Sequence, residues 1–181
     1  VRAANIGYWD SDLVNGTVLY SPEWKSHLGY HADELPAHSG SWRDLLHPED
    51  RAQAEALVAD YIAGRTRTYE AEFRLQHKDG SYRWIHSRGN LFKDATGQPV
   101  RLIGCHLDIT ERKRTDAKLE AFALLGKQLS TTNTMREAAL LILQNANRLL
   151  EWDCSWLRVR DEAQDQWQDL VRPVYWTPDS R

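Results

Sequence analysis

The sequence predicts an α+β fold in which short helices cover one face of an antiparallel sheet. Three observations predict this class. Two short β-patterned segments open the chain, and three longer segments with period-two alternation follow after residue 67. Several short helical segments lie between these two groups. Two further helices and two further β-patterned segments come after residue 110, so the predicted order is two strands, short helices, a three-stranded meander, two helices and two strands.

The first strands and helices are marked by turn residues. Residues 5–10 and 17–20 have the pattern of short strands, and Asn15-Gly16 between them is a strong signal for a two-residue hairpin turn. Proline suits the first turn of a helix and glycine commonly follows the last turn. On that basis we expect short helices within residues 21–29, 41–46 and 48–64.

The register of the three-stranded meander decides which of its side chains are covered. Asp79-Gly80 predicts a two-residue turn that pairs Lys78 with Ser81. If the next turn places Lys93 opposite Gln98, the apolar residues fall largely on one face. The predicted covered face carries Ala71, Phe73, Leu75, Trp84, His86, Ile103, Cys105 and Leu107. The opposite face carries Glu70, Glu72, Arg74, Gln76, Arg83, Ile85, Leu102, His106 and Asp108.

Two polar residues on the predicted covered face point to a candidate ligand site. His86 and Arg88 need hydrogen-bond partners if they are buried. A backbone carbonyl or a buried water would satisfy His86, whereas the alternative is a small-molecule pocket with mostly apolar walls and a few polar groups. The candidate pocket residues are Trp42, Phe73, Trp84, His86, Arg88, Ile103 and Cys105.

The stretch IGCHLDITERKR, residues 103–114, passes from a strand to a charged helix without Gly or Pro. Such a rigid connection suggests that a structural change is transmitted along it. The predicted register places Asp108 opposite Arg83, where an ion pair would fix the end of the strand. Asp108 can also cap the helix, with Glu111 in the capping-box position. The simpler alternative is an ordinary surface ion pair that contributes well under about 1 kcal/mol.

Two helices and two strands are predicted after this junction. Thr134 and Glu137 form a capping-box pattern at the start of the second helix. That helix has a narrow apolar seam suited to packing on another helix, which carries Met135, Ala139, Ile142, Ala146 and Leu149. We therefore expect a homodimer that forms through helical segments.

Composition excludes several classes of protein. The chain has 181 residues, of which 41% are hydrophobic and 27% charged, with a net charge of −3. This balance implies no attraction to nucleic acid, and no apolar run is long enough to span a membrane. We expect Cys105 and Cys154 to be reduced core thiols in a cytoplasmic protein. The chain begins with Val1 rather than Met, so we expect a piece of a longer protein.

Residues 5–113 resemble a PAS domain with its C-terminal PAC segment. The resemblance lies in GYWDSD, HPEDR and the run from Tyr69 to Lys113, which contains the Asp-Gly turn, Arg83-Trp84 and the final Asp-Ile-Thr. It implies one five-stranded antiparallel sheet with short helices on one face. It also implies a cytoplasmic sensory or dimerisation module, with an effector in the same polypeptide. It implies that Asp108, Ile109 and Thr110 join the last strand to a helix that leads to the effector. Together with Arg83 from the predicted register and Glu111 from the capping pattern, these are the predicted relay residues.

The remainder of the chain resembles the start of a GAF domain, over FALLGKQLSTTNTMREAALLILQNANRLLEWDCSWLRVRD. The expected organisation is therefore a PAS/PAC domain at 1–113, a linking signalling helix at 111–133 and a truncated GAF-like start at 134–181. We expect a partial GAF-like α/β segment after the C-terminal helical extension.

The cofactors that PAS domains bind require particular residues, and this sequence can be checked for them. The resemblance implies a haem-ligating His on the long helix before the meander, but residues 48–64 contain no His. It implies a flavin-adduct Cys in a helical segment similar to NCRF, whereas Cys105 lies on a predicted strand. Haem and Cys-adduct flavin are therefore not expected, although non-covalent flavin stays open, and the cofactor is unknown. His27 and His31 are four residues apart without a completing carboxylate, so no metal site is predicted.

The expected function is a sensory module of a bacterial signalling protein. Nothing in the chain forms a recognisable catalytic constellation, so we do not expect an enzyme. Residues 111–151 contain no His for phosphorylation, and the output domain must lie elsewhere. A sensor histidine kinase is the first expectation for the whole protein. The alternatives are a cyclic-dinucleotide cyclase or phosphodiesterase, or a ligand-free dimerisation scaffold.

Overall fold

The computed structural model describes residues 6–35, 40–150, 154–161 and 166–175. The chain forms two compact units, Val1–Lys113 and Arg114–Arg181, which are described separately. In the part of the chain that the structure describes, no helix combines the length and the apolar character needed to cross a membrane.

The first unit contains a five-stranded antiparallel sheet, as the sequence predicts. Its strand order is β2-β1-β5-β4-β3, so that the last strand of the unit lies at the centre. The strands are β1 Ile6–Asp12, β2 Thr17–Tyr20, β3 Tyr69–Gln76, β4 Tyr82–Lys93 and β5 Pro99–Asp108. Three helices connect β2 to β3, namely α1 Pro22–His27, α2 Gly40–Leu45 and α3 Pro48–Ile62.

Capping side chains fix where these helices begin. The Ser21 hydroxyl accepts a hydrogen bond from Trp24 N at 3.2 Å, as its position before a proline predicts. His47 precedes α3, and its Nδ1 accepts a hydrogen bond from Glu49 N at 3.2 Å. A histidine in this position satisfies one of the free N–H groups of the first helical turn.

The turn between β3 and β4 differs from the predicted one. His77 N donates to Ser81 O at 2.7 Å, so the loop is Lys78-Asp79-Gly80 rather than two residues. Gly80 has φ +87°, the left-handed conformation that closes such a three-residue loop. As a result Phe73 pairs with Ile85, and the predicted pairing with His86 is wrong by one residue.

This one-residue slip exchanges the two faces of β4, because strand side chains alternate with a period of two. The predicted pairing of β4 with β5 is also wrong, since Leu107 pairs with His86 rather than with Trp84, and Lys93 pairs with Pro99 rather than with Gln98. A shift of two residues between these strands leaves their faces matched, so β5 changes face together with β4. The covered face therefore carries Tyr69, Ala71, Phe73, Leu75, Ile85, Ser87, Leu102 and His106, all of which are buried. Placing Trp84, His86, Arg88, Ile103, Cys105 and Leu107 on the covered face was wrong, as was placing Ile85, Leu102 and His106 outside.

The elements after β5 follow the predicted order, and the first of them begins within the first unit. Helix α4 is Thr110–Leu129, α5 is Met135–Leu150, and the antiparallel pair is β6 Cys154–Asp161 with β7 Gln166–Tyr175. Glu137 N donates to Thr134 Oγ1 at 3.2 Å, as the capping-box pattern predicts. In the apolar seam of α5, Ala139 is buried with Leu143, whereas Met135 is 62% exposed. Residues 151–153, 162–165 and 176–181 of the expected GAF-like segment lie outside the described residues.

Candidate functional site

A cavity of about 240 Å³ lies under the covered face of the sheet. It is bounded by β1, β2 and β5 on one side and by α2 and α3 on the other. Most of its walls are apolar or aromatic, and the few polar groups are spread among them. The lining residues of the sheet and the β1–β2 turn are Trp9, Ser11, Asp12, Leu13, Gly16, Val18, Tyr20, Tyr69, Leu102 and His106. The lining residues of the helices are Trp42, Arg43, Val58 and Ile62.

The indole of Trp9 lies on a flat area formed by two paired glycines. Gly89 of β4 pairs with Gly104 of β5, and both face the covered side. A Cβ on Gly89 would be 3.1 Å from Trp9 Cη2, and a Cβ on Gly104 would be 2.7 Å from Trp9 Cε2. Because only glycine leaves this space, the sequence allows the ring to lie directly on the sheet. Tyr69 contacts the same ring edge-on, with centroids 6.2 Å apart.

His106 is the buried histidine of this site. Its side chain is 4% exposed and packs against the rings of Trp9, Trp24 and Phe73 at centroid distances of 5.6–6.1 Å. Burial lowers the pKa of His106 to about 3, and the nearby His27 acts in the same direction. The imidazole is therefore neutral at physiological pH, with one nitrogen able to donate and the other able to accept a hydrogen bond.

The tyrosines of the site are also held neutral. Burial raises the pKa of Tyr20 to about 12, and the Tyr20 ring stacks on Trp24 at 4.0 Å. Burial raises the pKa of Tyr69 as well. These two side chains contribute rings and phenolic groups to the site, but no charge near neutral pH.

The two charged residues in the lining already have partners. Asp12 accepts hydrogen bonds from Val14 N and Asn15 N, each at 2.9 Å, and the Asn15 backbone bond is the main cause of the lowered pKa of Asp12. Arg43 Nε lies 3.3 Å from Glu55 Oε1, and its side chain is 54% exposed. The cavity therefore has no buried, unpaired charge of either sign among these residues.

Only part of the predicted pocket set lies at this cavity. Trp42 lines it, and Phe73 packs behind Trp42 with ring centroids 5.8 Å apart. The opposite face of the sheet carries Trp84, His86, Arg88, Ile103 and Cys105. His86 Nε2 lies 2.7 Å from Glu70 Oε1, so its partner is a carboxylate rather than the expected carbonyl or water. The slip in register caused these errors and placed His106 on the wrong face. Trp9 and Tyr69 were missed because the predicted register did not include β1 or the first residue of β3.

The junction after β5 is held by the backbone of β4. Ile109 N donates to Trp84 O at 2.8 Å, and Trp84 N donates to Thr110 Oγ1 at 2.9 Å. Asp108 Oδ1 accepts a hydrogen bond from Thr110 N at 2.8 Å. Ile109 and Thr110 are 3% and 6% exposed, so these bonds are shielded from water. The predicted relay residues Asp108, Ile109 and Thr110 are thus brought together at Trp84.

Charged side chains attach the first turn of α4 to the exposed face of the sheet. Glu72 of β3 forms ion pairs of 2.6 Å with both Arg112 and Lys113. These partners, Lys113 first, lower the pKa of Glu72. The ring of Trp84 lies between two cations, with Lys113 Nζ 4.9 Å and Arg74 Cζ 5.3 Å from its centroid. Each cation–π contact of this kind contributes about 0.5–1 kcal/mol.

The expected pairing of Arg83 with Asp108 is wrong. Asp108 pairs with Ile85, whereas Arg83, two residues earlier on β4, pairs with Leu75. Arg83 Nη2 instead approaches Asp79 Oδ2 at 3.8 Å. Glu111 lies in the first turn of α4, where a negative charge is favourable for the helix dipole.

One group of described residues has metal-ligand character, namely His47, Glu49 and Asp50. Arg74 already forms ion pairs with Glu49 at 2.8 Å and Asp50 at 2.7 Å. Its guanidinium holds the position that a cation would need, so this group is a structural ion-pair network.

The residues do not fit a Cys-adduct flavin. Cys105 lies on the exposed face of β5, with the sheet between its side chain and the cavity. The cavity is also smaller than the roughly 300–1,000 Å³ of sites for drug-sized ligands, and a flavin nucleotide is at least that large. Haem is a still larger group, and α3 offers it no histidine.

Comparisons with known proteins agree with this geometry. A family model described as PAS fold matches residues 17–106. A sensory box histidine kinase/response regulator from Burkholderia thailandensis E264 is 33% identical, with a TM-score of 0.60 over 69% of this chain and 92% of that chain. The N-terminal domain of a diguanylate cyclase with PAS/PAC sensor from Marinobacter aquaeolei has the same fold at 24% identity, with a TM-score of 0.54 over 60% of this chain and 98% of that chain.

A blue-light-activated histidine kinase of Brucella abortus is 28% identical over 150 residues, or 83% of this chain. The chain spans 28% of the length of that curated relative. Residues 17–106 contain β2, β3, β4 and most of β5, the three helices α1 to α3, and most of the cavity lining. The chain belongs to the PAS-fold family, and its PAS domain is homologous to the sensor domains of histidine kinases.

Proposed function

We propose that this chain is the sensory input of a bacterial sensor histidine kinase, located in the cytoplasm, and that it responds to a small molecule bound in the cavity. The observation that carries the proposal is the course of β5. This strand contributes Leu102 and His106 to the cavity, and Asp108 at its end begins the junction with α4. A change in the cavity therefore has a short covalent and hydrogen-bonded path to the helix.

The relay acts through the bonds at Trp84. A ligand that displaces His106 shifts the end of β5, and the hydrogen bonds that join Trp84 to Ile109 and Thr110 must adjust. Each such bond contributes about 0.5–1.5 kcal/mol, so the junction can distinguish two arrangements that differ by a few kcal/mol. A ligand shifts this balance only by the difference between its affinities for the two arrangements. Helix α4 has 20 residues, which gives it a length of about 30 Å for passing the change onward.

The relay is tested by Asp108→Ala in the intact protein. The variant removes the acceptor for Thr110 N and is expected to cost about 1 kcal/mol of stability while the domain stays folded. Signal-dependent change in kinase activity should fall at least fivefold. Asp116→Ala, at an exposed position of α4, is the matched control and should leave regulation unchanged. Full regulation in the Asp108→Ala protein would contradict the relay.

A second function, a ligand-free dimerisation scaffold, is favoured by exposed apolar residues on α4. Leu119 and Phe122 are 62% and 60% exposed, and a homodimer through helical segments would cover them. Native mass spectrometry of the freshly purified chain separates the two functions. A reproducibly bound small molecule supports sensing, whereas an empty dimer supports the scaffold. For the whole protein, we also propose that residues 134–181 begin a GAF-like domain. A cyclic-dinucleotide cyclase or phosphodiesterase is the proposed alternative to the kinase as output.

A further inference from the structure

We propose that the cavity binds a compact, planar, uncharged aromatic molecule of one or two fused rings that carries a polar group such as a phenolic hydroxyl or a ring nitrogen. This ligand class rests on the proposed sensing function and makes it specific. It follows from the volume of the cavity, the nature of its walls and the state of its polar groups.

The volume sets the size of the ligand. A cavity of about 150 Å³ is enough to bind one benzene ring. The present cavity of about 240 Å³ therefore accepts a second fused ring, but it is smaller than the sites of drug-sized ligands, which begin at about 300 Å³. Steroid-sized or nucleotide-sized ligands do not fit without a rearrangement of the core.

The walls select a flat ring. Four aromatic side chains line the cavity, namely Trp9, Tyr20, Trp42 and Tyr69. The ring of Trp9 cannot retreat toward the sheet, because it already lies on Gly89 and Gly104. Rings held in this way offer faces and edges for offset-stacked and edge-to-face contacts, which contribute about 0.5–1.5 kcal/mol beyond area burial. A saturated molecule of the same size makes no such contacts.

The polar groups select a neutral ligand with hydrogen-bonding capacity. Asp12 and Arg43 are engaged by the β1–β2 turn and by Glu55, so neither provides an unpaired counter-charge. His106 and Ser11 line the cavity and bring a neutral imidazole and a hydroxyl group to its wall. The buried Nε1 of Trp9 has no hydrogen-bond partner in the part of the chain that the structure describes. A charged ligand would lose its hydration here without compensation, whereas a neutral hydroxyl or ring nitrogen can use these groups.

The test is isothermal titration calorimetry of the full 181-residue chain with four probes. The probes are 2-naphthol, its charged analogue 2-naphthoate, its saturated analogue decahydro-2-naphthol, and flavin mononucleotide. We expect 2-naphthol to bind at least tenfold more tightly than each of the other three. Equal or tighter binding of 2-naphthoate would overturn the neutral class, and equal binding of decahydro-2-naphthol would overturn the planar class.

A variant that fills the cavity tests whether the probe binds there. Val58→Phe on α3 adds volume inside the lining and should reduce 2-naphthol affinity at least tenfold. The matched control is Ala59→Phe, at an exposed position of the same helix, and it should bind as the unaltered chain does. If Val58→Phe does not fold by circular dichroism, Ser11→Ala serves instead, with an expected loss of about fivefold. Unchanged affinity in the folded variant would place the probe elsewhere and overturn the proposal.

Failure of this ligand class is distinguishable from failure of the sensing function. If 2-naphthol does not bind, but native mass spectrometry finds a small molecule that is lost in Val58→Phe, the ligand class is wrong and sensing stands. If neither the probe nor a co-purified molecule occupies the cavity, both proposals are wrong.

Discussion

Gly104→Ala is the sharpest perturbation that the structure offers, because it acts on the sheet and the cavity together. An added Cβ would lie far inside van der Waals contact with the carbonyl oxygen of Arg88 and with Trp9 Cζ2, and 2.7 Å from Trp9 Cε2. Carbon atoms normally approach to about 3.5–4.0 Å. The Arg88 carbonyl belongs to the β4–β5 pair, so it cannot move away without disturbing the register of the central strand.

The expected cost lies at the upper end of the range for overpacking. Extra methyl groups in a packed core typically cost about 1–3 kcal/mol. We expect about 3 kcal/mol for Gly104→Ala, because one of the crowded atoms is backbone. The unit Val1–Lys113 lies between the size ranges for which 1 kcal/mol lowers Tm by about 4–8 °C and by about 2–4 °C, so we take about 4 °C and expect a decrease of about 12 °C. Any relief by movement of Trp9 would reduce the cavity and should weaken the proposed ligand binding.

The assay is urea denaturation and calorimetry of the chain, with two further glycine substitutions for comparison. Gly89→Ala should cost less, about 1–2 kcal/mol, because its added Cβ would be 3.1 Å from Ile103 O and from the Trp9 ring. Gly126→Ala on α4 meets nothing within 4 Å and should be neutral or stabilising by up to about 1 kcal/mol. A loss below 1 kcal/mol for Gly104→Ala, or a larger loss for Gly89→Ala, would refute this reasoning.

Two further predictions concern charge. Glu72→Gln removes the ion pairs with Arg112 and Lys113 and should cost about 0.5–1 kcal/mol in low salt and much less in 1 M salt. Urea denaturation at both salt concentrations measures this, and Glu120→Gln on α4 is the control, so a salt-independent loss would contradict it. For His106, the folded pKa of about 3 lies below the ordinary value of 6.5, so the unfolded chain binds the extra proton between these values. The contribution of His106 to stability is complete above pH 6.5 and falls by about 1.4 kcal/mol per pH unit below it. Between pH 4.5 and 6.5, the free energy of unfolding should depend less steeply on pH in His106→Leu than in the unaltered chain. The control His31→Gln, at an exposed position, should keep the slope of the unaltered chain. Equal slopes in all three proteins would show that His106 is not the source of the pH dependence.

The sequence predicted the order of the helices and strands correctly, but it placed most of the candidate site residues on the wrong face of the sheet. Strand alternation and the helix-bounding residues predicted the element order, and the structure confirms that order. Asn15-Gly16 marked the first hairpin, but Asp12 pairs with Thr17, so its loop is Leu13–Gly16 and the predicted two-residue turn is wrong. The local pattern around Asp79-Gly80 allows a two-residue or a three-residue loop, and the choice depends on how Phe73 and Ile85 pack against the helices. Tertiary packing decided this one-residue question, and local turn chemistry could not.

A different signal would have identified the covered face. Gly89 and Gly104 occupy strand interiors, where glycine usually marks the close approach of another group. In the observed register they pair with each other and face the same side, which leaves space for a large ring. Trp9, on the strand next to Gly104, supplies that ring. Two strand glycines together with a tryptophan on a third strand are thus a usable indication of inward orientation.

The observed register supports the proposed relay, although it places the cavity among other residues than those predicted. Had Trp84 faced the core, its ring would lie away from Lys113, and the first turn of α4 would lack that contact with the sheet. With Trp84 on the exposed face, its backbone holds Ile109 and Thr110 while its ring meets Lys113. The same alternation turns His106 inward, two residues before Asp108. One register thus places a cavity residue and the helix junction within three residues of each other on the central strand, which is the geometry that the proposed relay requires.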